Sequence, residues 1–436
     1  VLAPAGNSGN YFSEQDRRAS RAEWIETYSL SPINLYGAHN LKFGSSVART
    51  TNRGDFDARP VDIENTAGQL VKRIDWIQGS PFDLKDLETG FFGQDHWIVN
   101  SRLALDVGMR FERQGITETT RVAPRVGLAW TPFANQQTVV RGGFGLFYDR
   151  VPLSVFAFYA YPQQVITAFG PDGSIIDGPR QIYNITDRAE ARKFPFVFNK
   201  GNTGNFAPYS ETWNVEIEHP VNRMLRVRAN YLQSNSFGVV IFTPKVVQDR
   251  DALVLGGGGK TGYRQLELTA RLTLKDDQQM FFSYVHSRSR GDINEFNNYL
   301  GNFPFPVVRP NTFTNLSGDL PNRFLAWGVV RLPWKMRIAP MIEWRNGFPY
   351  ASTDVLQNYV GVPNQARFPD FLSLDSRVSK DFKINDKYAL RFSVSGFNVT
   401  NHFNPLQVHS NVDDPAYGFF FGSHRRRLRL DFDVIF

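Results

Sequence analysis

The stretch Arg425-Arg426-Arg427-Leu428-Arg429-Leu430-Asp431-Phe432-Asp433-Val434-Ile435-Phe436 constrains the fold of this chain more than any other. From Leu428 the even positions are Leu, Leu, Phe, Val and Phe. The odd positions from Arg427 are Arg, Arg, Asp and Asp before Ile435. Alternation with period 2 puts the two sets on opposite faces of one strand. In a water-soluble sheet the polar face meets solvent and the apolar face a core. In a membrane barrel the apolar face meets lipid and the charged face a wet lumen. Choosing between these two environments largely decides the class of protein.

No apolar run approaches the ~20 residues of a membrane-crossing helix, which excludes a helical membrane protein. A hydrophobic content of 42% still permits a barrel, because alternate residues of a spanning strand are polar. Aromatic residues make up 14% of the chain, with 38 Phe, 16 Tyr and 8 Trp, an amount suited to girdles at two membrane interfaces. Cysteine is absent, so disulfides and thiolate metal sites are excluded. The net charge of +7 reads as a solvated basic surface. Val1-Leu2-Ala3-Pro4 has neither the basic flank nor the apolar core of a signal peptide. The expectation is a chain that starts after processing or within a longer polypeptide.

The alternation recurs. Leu103, Leu105, Val107, Met109 and Phe111 alternate with Ala104, Asp106, Gly108, Arg110 and Glu112. Leu266, Leu268, Ala270, Leu272 and Leu274 alternate with Gln265, Glu267, Thr269, Arg271 and Thr273. Trp334, Met336, Ile338, Pro340, Ile342 and Trp344 alternate with Lys335, Arg337, Ala339, Met341, Glu343 and Arg345. Runs of about 9–12 residues match a tilted bilayer-spanning strand and exceed the usual soluble strand. About fifteen strands are expected, near 19–31, 38–50, 83–98, 101–113, 121–131, 138–149, 209–219, 223–235, 262–274, 279–289, 321–332, 334–346, 371–383, 387–399 and 425–436. Asp62–Trp76, turning at Asn65-Thr66-Ala67-Gly68, reads as a hairpin inside a long loop.

Connections fall into two sets. Ile98–Ser101, Pro132–Gln137, His219–Arg223, Lys275–Gln278, Leu332–Trp334 and Ile384–Lys387 are short. Those near Arg150–Pro208, Ser234–Lys260, Arg288–Leu320, Gly347–Pro369 and Thr400–His424 are long and rich in Gly, Pro, Asn and aromatics. Tight turns at one end and long loops at the other build a bacterial barrel, not a sandwich or propeller. The charges keep to one side of this scheme. Arg102, Asp106, Arg110, Arg141, Glu267, Arg271, Arg331, Arg337, Arg429 and Asp431 are the lumen-facing candidates. On the lipid side near the midplane an arginine would cost roughly 2–4 kcal/mol. Phe147, Phe281, Leu325 and Trp327 are apolar on the inward side and are expected to pack against something in the lumen. A transmembrane antiparallel β-barrel follows, and bacterial barrels have even strand numbers, so an odd count implies missing strands.

Three segments carry a family resemblance. They are Gly93–Val99 with Arg102–Glu112, Ala123–Phe133 with Thr138–Arg150, and Gly396-Phe397-Asn398-Val399-Thr400-Asn401-His402-Phe403-Asn404. Together they resemble the barrel of TonB-dependent outer-membrane receptors, most closely the Oar-like branch. The resemblance runs from about residue 20 to Phe436. It implies a barrel of roughly 22 strands whose lumen holds a folded plug. Residues 1–436 would then be the C-terminal portion of that barrel, with plug, TonB-interacting segment and first strands absent from this chain. The implied partners are outer-membrane lipid and lipopolysaccharide, the barrel-assembly machinery, the N-terminal segment of the same receptor and, through it, the TonB system. The resemblance also makes Phe432, Val434 and Phe436 the expected assembly signal.

Other chemistry is thin. The seven histidines show no HExxH or paired spacing, and His402 and His409 beside Asp413 and Asp414 read as loop polarity, so no metal is expected. Gly256–Gly259 before Lys260-Thr261 misses the phosphate-loop register, because Val254 stands where a glycine is needed; a flexible external loop is expected there. Asp431 and Asp433 are compensated by Arg427 and Arg429, and no Ser/His/Asp constellation is legible, so neither enzyme nor cofactor is expected. Nucleic acid is not an expected partner. Arg425-Arg426-Arg427 suits either a solvated rim or lipopolysaccharide phosphates. The leading expectation is the barrel of a transporter for a bulky ligand: siderophore, oligosaccharide or peptide. The alternative is a structural or interaction barrel in a larger outer-membrane complex without gated transport.

Overall fold

The structure, a computed structural model, describes residues 1–135, 137–187, 196–199, 206–275 and 278–436. Strand accounts for 66% of it and helix for 4%, as the alternation requires. Fifteen long strands form the wall: β1 Ser13–Ser29, β2 Ala38–Ala58, β3 Phe82–Asn100, β4 Leu103–Gln114 and β5 Thr119–Trp130; β6 Val139–Tyr148, β7 Tyr209–Pro220, β8 Leu225–Val247, β9 Arg250–Lys275 and β10 Gln278–Asp292; and β11 Asn322–Leu332, β12 Met336–Arg345, β13 Phe371–Lys383, β14 Ala389–Phe397 and β15 Arg427–Ile435. Each expected strand overlaps one of these. The Lys275–Gln278 turn falls on 276–277, outside the described residues.

Every wall strand pairs antiparallel with the next in sequence, from Trp24 opposite Val47 in β1–β2 to Phe392 opposite Phe432 in β14–β15. The sheet is an up-and-down meander. It is open along one seam: among the described residues β1 pairs with β2, β15 pairs with β14, and no ladder joins β15 to β1. In a fifteen-strand meander the first and last strands run in the same direction, so the antiparallel pattern cannot continue directly across that seam.

Three expectations are corrected here. Ser234–Lys260 is not an irregular loop but the continuation of β8 and β9, which turn at Gln248 and Asp249 with φ of 49° and 58°. Period-2 alternation vanishes in this extension because both faces are covered: Val240, Ile241 and Phe242 are consecutive and all buried. Gly256–Gly259 lies inside β9 rather than in a flexible loop, with Gly256 opposite Ile241 and Gly259 opposite Val239. A Cβ on Gly259 would stand 2.5 Å from Ile241 Cγ2. Arg102 is likewise in the β3–β4 turn, and its N–H donates to Asn100 Oδ1 at 2.8 Å. The strand begins one residue later.

At the long-loop end the connections fold on one another. The expected hairpin is present as Val61–Glu64 and Leu70–Ile77, with Gly68 at φ +74°. It joins a separate six-stranded sheet with Leu2–Ala3, Gly6–Asn7, Gln163–Phe169 and Ile175–Gln181. Beneath lies an apolar core that includes Phe56, Phe82, Phe158, Phe206, Phe242 and Phe296. Burying several Phe side chains supplies roughly 1.5–3 kcal/mol each, which holds connections of this length in one arrangement.

Candidate functional site

Strand register decides which side chains share a face. Asp106 stands opposite Gly127, Gly127 opposite Gly143, and Gly143 opposite Asn214. On the same parity Arg141 faces Glu216, Asn230 faces Glu267, and Arg226 faces Arg271. The chain continues through Phe281, Trp327 and Arg331 to Arg337, then through Ser379 and Ser393 to Asp431. Of the ten lumen-facing candidates, all but Arg102 therefore lie on one face. Sequence parity survives fourteen consecutive pairings because the bulges lie at strand ends or in the β8–β9 extension.

Neighbouring charges on this face compensate one another. Arg141 reaches Glu216 at 2.6 Å and Glu218 at 3.3 Å. Glu218 also meets Arg226 at 2.5 Å, and Arg228 lies 3.4 Å from Glu267. Arg337 and Arg391 share Asp381, at 2.5 and 2.6 Å. Arg429 contacts Asp431 at 2.6 Å, and Arg377 contacts Asp433 at 3.1 Å. Asp106 is held by His96 at 2.8 Å, and Arg110 pairs with Glu112. Arg271 donates to Gln279 at 3.0 Å, and the Arg331 N–H donates to Gln278 Oε1 at 3.1 Å. Exposed pairs of this kind contribute little individually, about 0–1 kcal/mol. Their consequence is a wall face of alternating charge.

The aromatics on this charged face find partners within the wall. Phe281 and Trp327 stack on each other at 5.4 Å, with Arg271 over Phe281, and Arg125 covers Phe147 at 4.5 Å. The opposite face is apolar and exposed: Val107, Leu128, Trp130, Phe144, Leu268, Leu430 and Phe432 all remain open. An apolar surface of that extent is not compatible with water. On that face Phe432 packs at 5.1 Å from Phe392, Val434 stands opposite Leu390, and Phe436 lies just beyond the strand.

Sequence reasoning missed a charged cluster toward the long-loop end. Glu88 joins Arg21 at 3.0 Å to Arg150 at 2.8 Å, bridging β1, β3 and the residues after β6. Beside it the buried Arg121 donates to the Asp149 carbonyl at 2.9 Å and lies against Tyr148. Arg121 has the parity of Arg125, a signal that was present but sat at a strand end. His409 and Asp414 meet at 2.6 Å, while His402 binds Asn404 instead. Among the described residues no group of three His, Asp or Glu is arranged to hold a metal.

The loops also enclose a cleft, invisible in sequence because its walls come from distant segments. Its outer part, about 520 Å³, lies between Tyr11-Phe12, Pro60-Val61 and Phe303–Val307. An inner pocket shares Phe12, Pro304 and Phe305 with it and is lined further by Phe56, Trp76, Phe158 and Tyr161. Burial pushes the Tyr161 phenol well above its ordinary range, so it stays protonated.

Residues 113–244 match the family model described as "Outer membrane beta barrel domain". No protein with curated annotation matches the sequence. Among solved structures the fold is similar to the outer membrane transporter YddB of Escherichia coli, with TM-score 0.63, 13% identity, 96% of this chain and 54% of that one. It is similar also to the ferric enterobactin receptor PfeA of Pseudomonas aeruginosa, with TM-score 0.61, 12% identity and coverages of 96% and 55%. The pyoverdine outer membrane receptor FpvA of Pseudomonas aeruginosa gives TM-score 0.57, 13% identity, 97% and 53%. The chain thus spans about half the length of each of these proteins. It is an outer-membrane β-barrel chain of the bacterial envelope, and its wall has the fold of the TonB-dependent siderophore receptors.

Proposed function

We propose that this chain is the wall and external cap of an outer-membrane transporter that takes up a bulky ligand, and that it performs no catalysis of its own. The observation that carries the proposal is one charge-bearing face held in register from Asp106 in β4 to Asp431 in β15, with a folded cleft at the long-loop end. A polar lumen serves passage, and a cap with a cleft serves capture. By the asymmetry of bacterial barrels the cap is extracellular. Siderophore, oligosaccharide and peptide are the ligand classes that such a wall accommodates.

The open seam supports a larger barrel. Unpaired N–H and C=O groups along β1 and β15 would cost several kcal/mol each within lipid. Antiparallel closure from two like-directed edges takes an odd number of added strands. These strands, together with a plug and its contact to TonB, belong in this proposal to a further segment of the same receptor. Phe432, Val434 and Phe436 offer the apolar face of the last strand to the assembly machinery. Arg425–Arg427, at the cap-side entry to β15, suit lipopolysaccharide phosphates.

Uptake is tested in cells carrying or lacking the intact protein, by accumulation of labelled siderophores, oligosaccharides and peptides with and without a proton-motive force. One class should accumulate only when both are present. Equal accumulation in both strains overturns the proposal. The alternative, a barrel held in a larger complex without transport, predicts instead a stoichiometric partner chain that copurifies and protects β1 and β15 from cross-linking.

A further inference from the structure

Beyond the apolar band, the outward face of β9 and β10 carries a group of cations that the lumen pattern does not include. Leu266 and Leu268 in β9 and Tyr284 in β10 lie on this face and are exposed. The same parity continues through Arg264, Gly262 and Lys260 in β9, and through Arg288 and Arg290 in β10. Arg264 stands directly opposite Arg288, and Gly262 directly opposite Arg290. Like charges opposite one another in a sheet repel and destabilise the pairing. On the lumen face the opposed pair Arg226 and Arg271 is relieved by Glu218, 2.5 Å from Arg226. Among the described residues, none of Lys260, Arg264, Arg288 and Arg290 forms an ion pair. The carboxylate that follows them on this face is Asp292. It accepts the Lys260 N–H and Asn311 Nδ2, both at 2.8 Å, instead of a charged head.

The level of this group along the barrel matters. Arg264 lies ten residues from Leu274, roughly 25 Å along the axis at ~3.3 Å per residue and ~40° tilt. That is the height of the apolar band of an outer-membrane barrel. The four cations therefore begin where lipid tails end, on the long-loop side.

They also surround a gap. A Cβ on Gly262 would meet only Asn235 Oδ1, at 3.4 Å, and the residue has no positive φ. Neither backbone conformation nor packing requires glycine there. Lys260 and Arg264 flank Gly262 along β9, while Arg290 faces it from β10 and Asn235 from β8. Lys260 Nζ and Arg290 Cζ lie 5.1 and 5.2 Å from the Phe313 ring, which draws the two heads toward one place. A glycine within a strand often marks the close approach of another group. Guanidinium forks match phosphate oxygens bidentately, and an ammonium adds a point charge.

We infer that the outward face around Gly262 binds a phosphate of the outer-leaflet lipid, lipopolysaccharide, through Lys260, Arg264, Arg288 and Arg290. The occupant is a lipid because the cations continue the lipid-facing surface without a break. Its acyl chains then cover Leu266 and Leu268, an apolar border that a free anion would not use. The site lies away from Arg425–Arg427 and rests on the outward-facing cap of the uptake proposal, not on transport.

The test is binding of radiolabelled lipopolysaccharide to the intact protein, immobilised in detergent at about 0.15 M salt. An Arg264→Gln/Arg288→Gln variant should bind about tenfold more weakly, the loss expected for charge-assisted hydrogen bonds. Gly262→Val keeps every charge, fills the gap and should also weaken binding. Arg18→Gln/Arg53→Gln removes equal charge from another opposed pair, one with Asp16, Asp55 and Asp83 beside it, and should leave binding unchanged. Dephosphorylated lipopolysaccharide should bind the wild-type protein as weakly as intact lipopolysaccharide binds the Arg264→Gln/Arg288→Gln variant. Unheated gel mobility identifies any variant that misfolds, and the remaining variant and the dephosphorylated lipid then carry the test. Wild-type affinity in either folded variant of the site, or an equal loss in Arg18→Gln/Arg53→Gln, overturns the inference. Displacement by millimolar inorganic phosphate overturns the lipid as occupant. The assay has no transport step, so a failed site leaves the uptake proposal standing, and failed uptake leaves the site standing.

Discussion

At the scale of single residues, the loop end depends on a few buried polar contacts. Asp319 is almost fully buried; its carboxylate pairs with Arg367 and accepts the Ser289 N–H at 2.6 Å. Removing one partner of a buried pair leaves an uncompensated charge and costs about 3–5 kcal/mol. Arg367→Ala is therefore expected to open the connection between β10 and β11 to protease while leaving the wall folded, and limited proteolysis followed by mass spectrometry checks this. Asp414 gives a pH dependence. Its carboxyl is held below the ordinary carboxylate range first by the Ala416 N–H and then by His409. A depressed folded-state value stabilises above the unfolded value and is lost as pH falls through the folded one. Hydrogen-exchange protection factors, corrected for the intrinsic pH dependence of exchange, should thus be high at residues 411–417 at neutral pH and fall below about pH 4. Protection factors unchanged down to pH 2 would contradict it.

At the scale of elements, the wall is legible and the cap is not, for a reason visible in β8 and β9. Within the bilayer one face meets lipid and the other water, so β9 alternates Leu266, Leu268 and Ala270 with Glu267, Thr269 and Arg271. Beyond the wall the same strands are covered on both sides, so Val240-Ile241-Phe242 shows no alternation and passes for a loop. The faces can be tested in pairs. Leu268→Arg should cost roughly 2–4 kcal/mol and reduce the folded, heat-modifiable fraction in membranes, whereas the adjacent Thr269→Arg should fold as wild type. Equal damage from both would refute the register. The β8–β9 turn carries two non-glycine residues at positive φ. Asp249→Gly should relieve about 1–2 kcal/mol of left-handed strain and slow proteolysis of the hairpin tip.

At the scale of the whole molecule, the seam between β1 and β15 is the property with the widest consequence. The chain has no cysteine, so engineered pairs report without background. Ser393→Cys with Asp431→Cys, placed on register partners in β14 and β15, should oxidise readily. Trp24→Cys with Phe432→Cys, one on each edge of the seam, should not cross-link in the intact protein. Efficient cross-linking of the second pair would show that the fifteen strands close on themselves.

Sequence alone determined the fifteen strands, their alternating faces, the segregation of long and short connections and the site of the Asn65–Gly68 turn. Those are local properties: the two-sided environment of a spanning strand is written as period 2 in every residue pair, and a turn needs only neighbouring residues. The odd strand count already implied a seam, and the tertiary structure alone decided the Glu88 bridge between Arg21 and Arg150 and the aromatic cleft around Tyr161. Each joins segments far apart in the chain, where residues meet through folding and leave no periodic trace. The alternation that ends in Val434, Ile435 and Phe436 fixes two faces of a strand, but which edge it presents, and to what, is settled only by the strands around it.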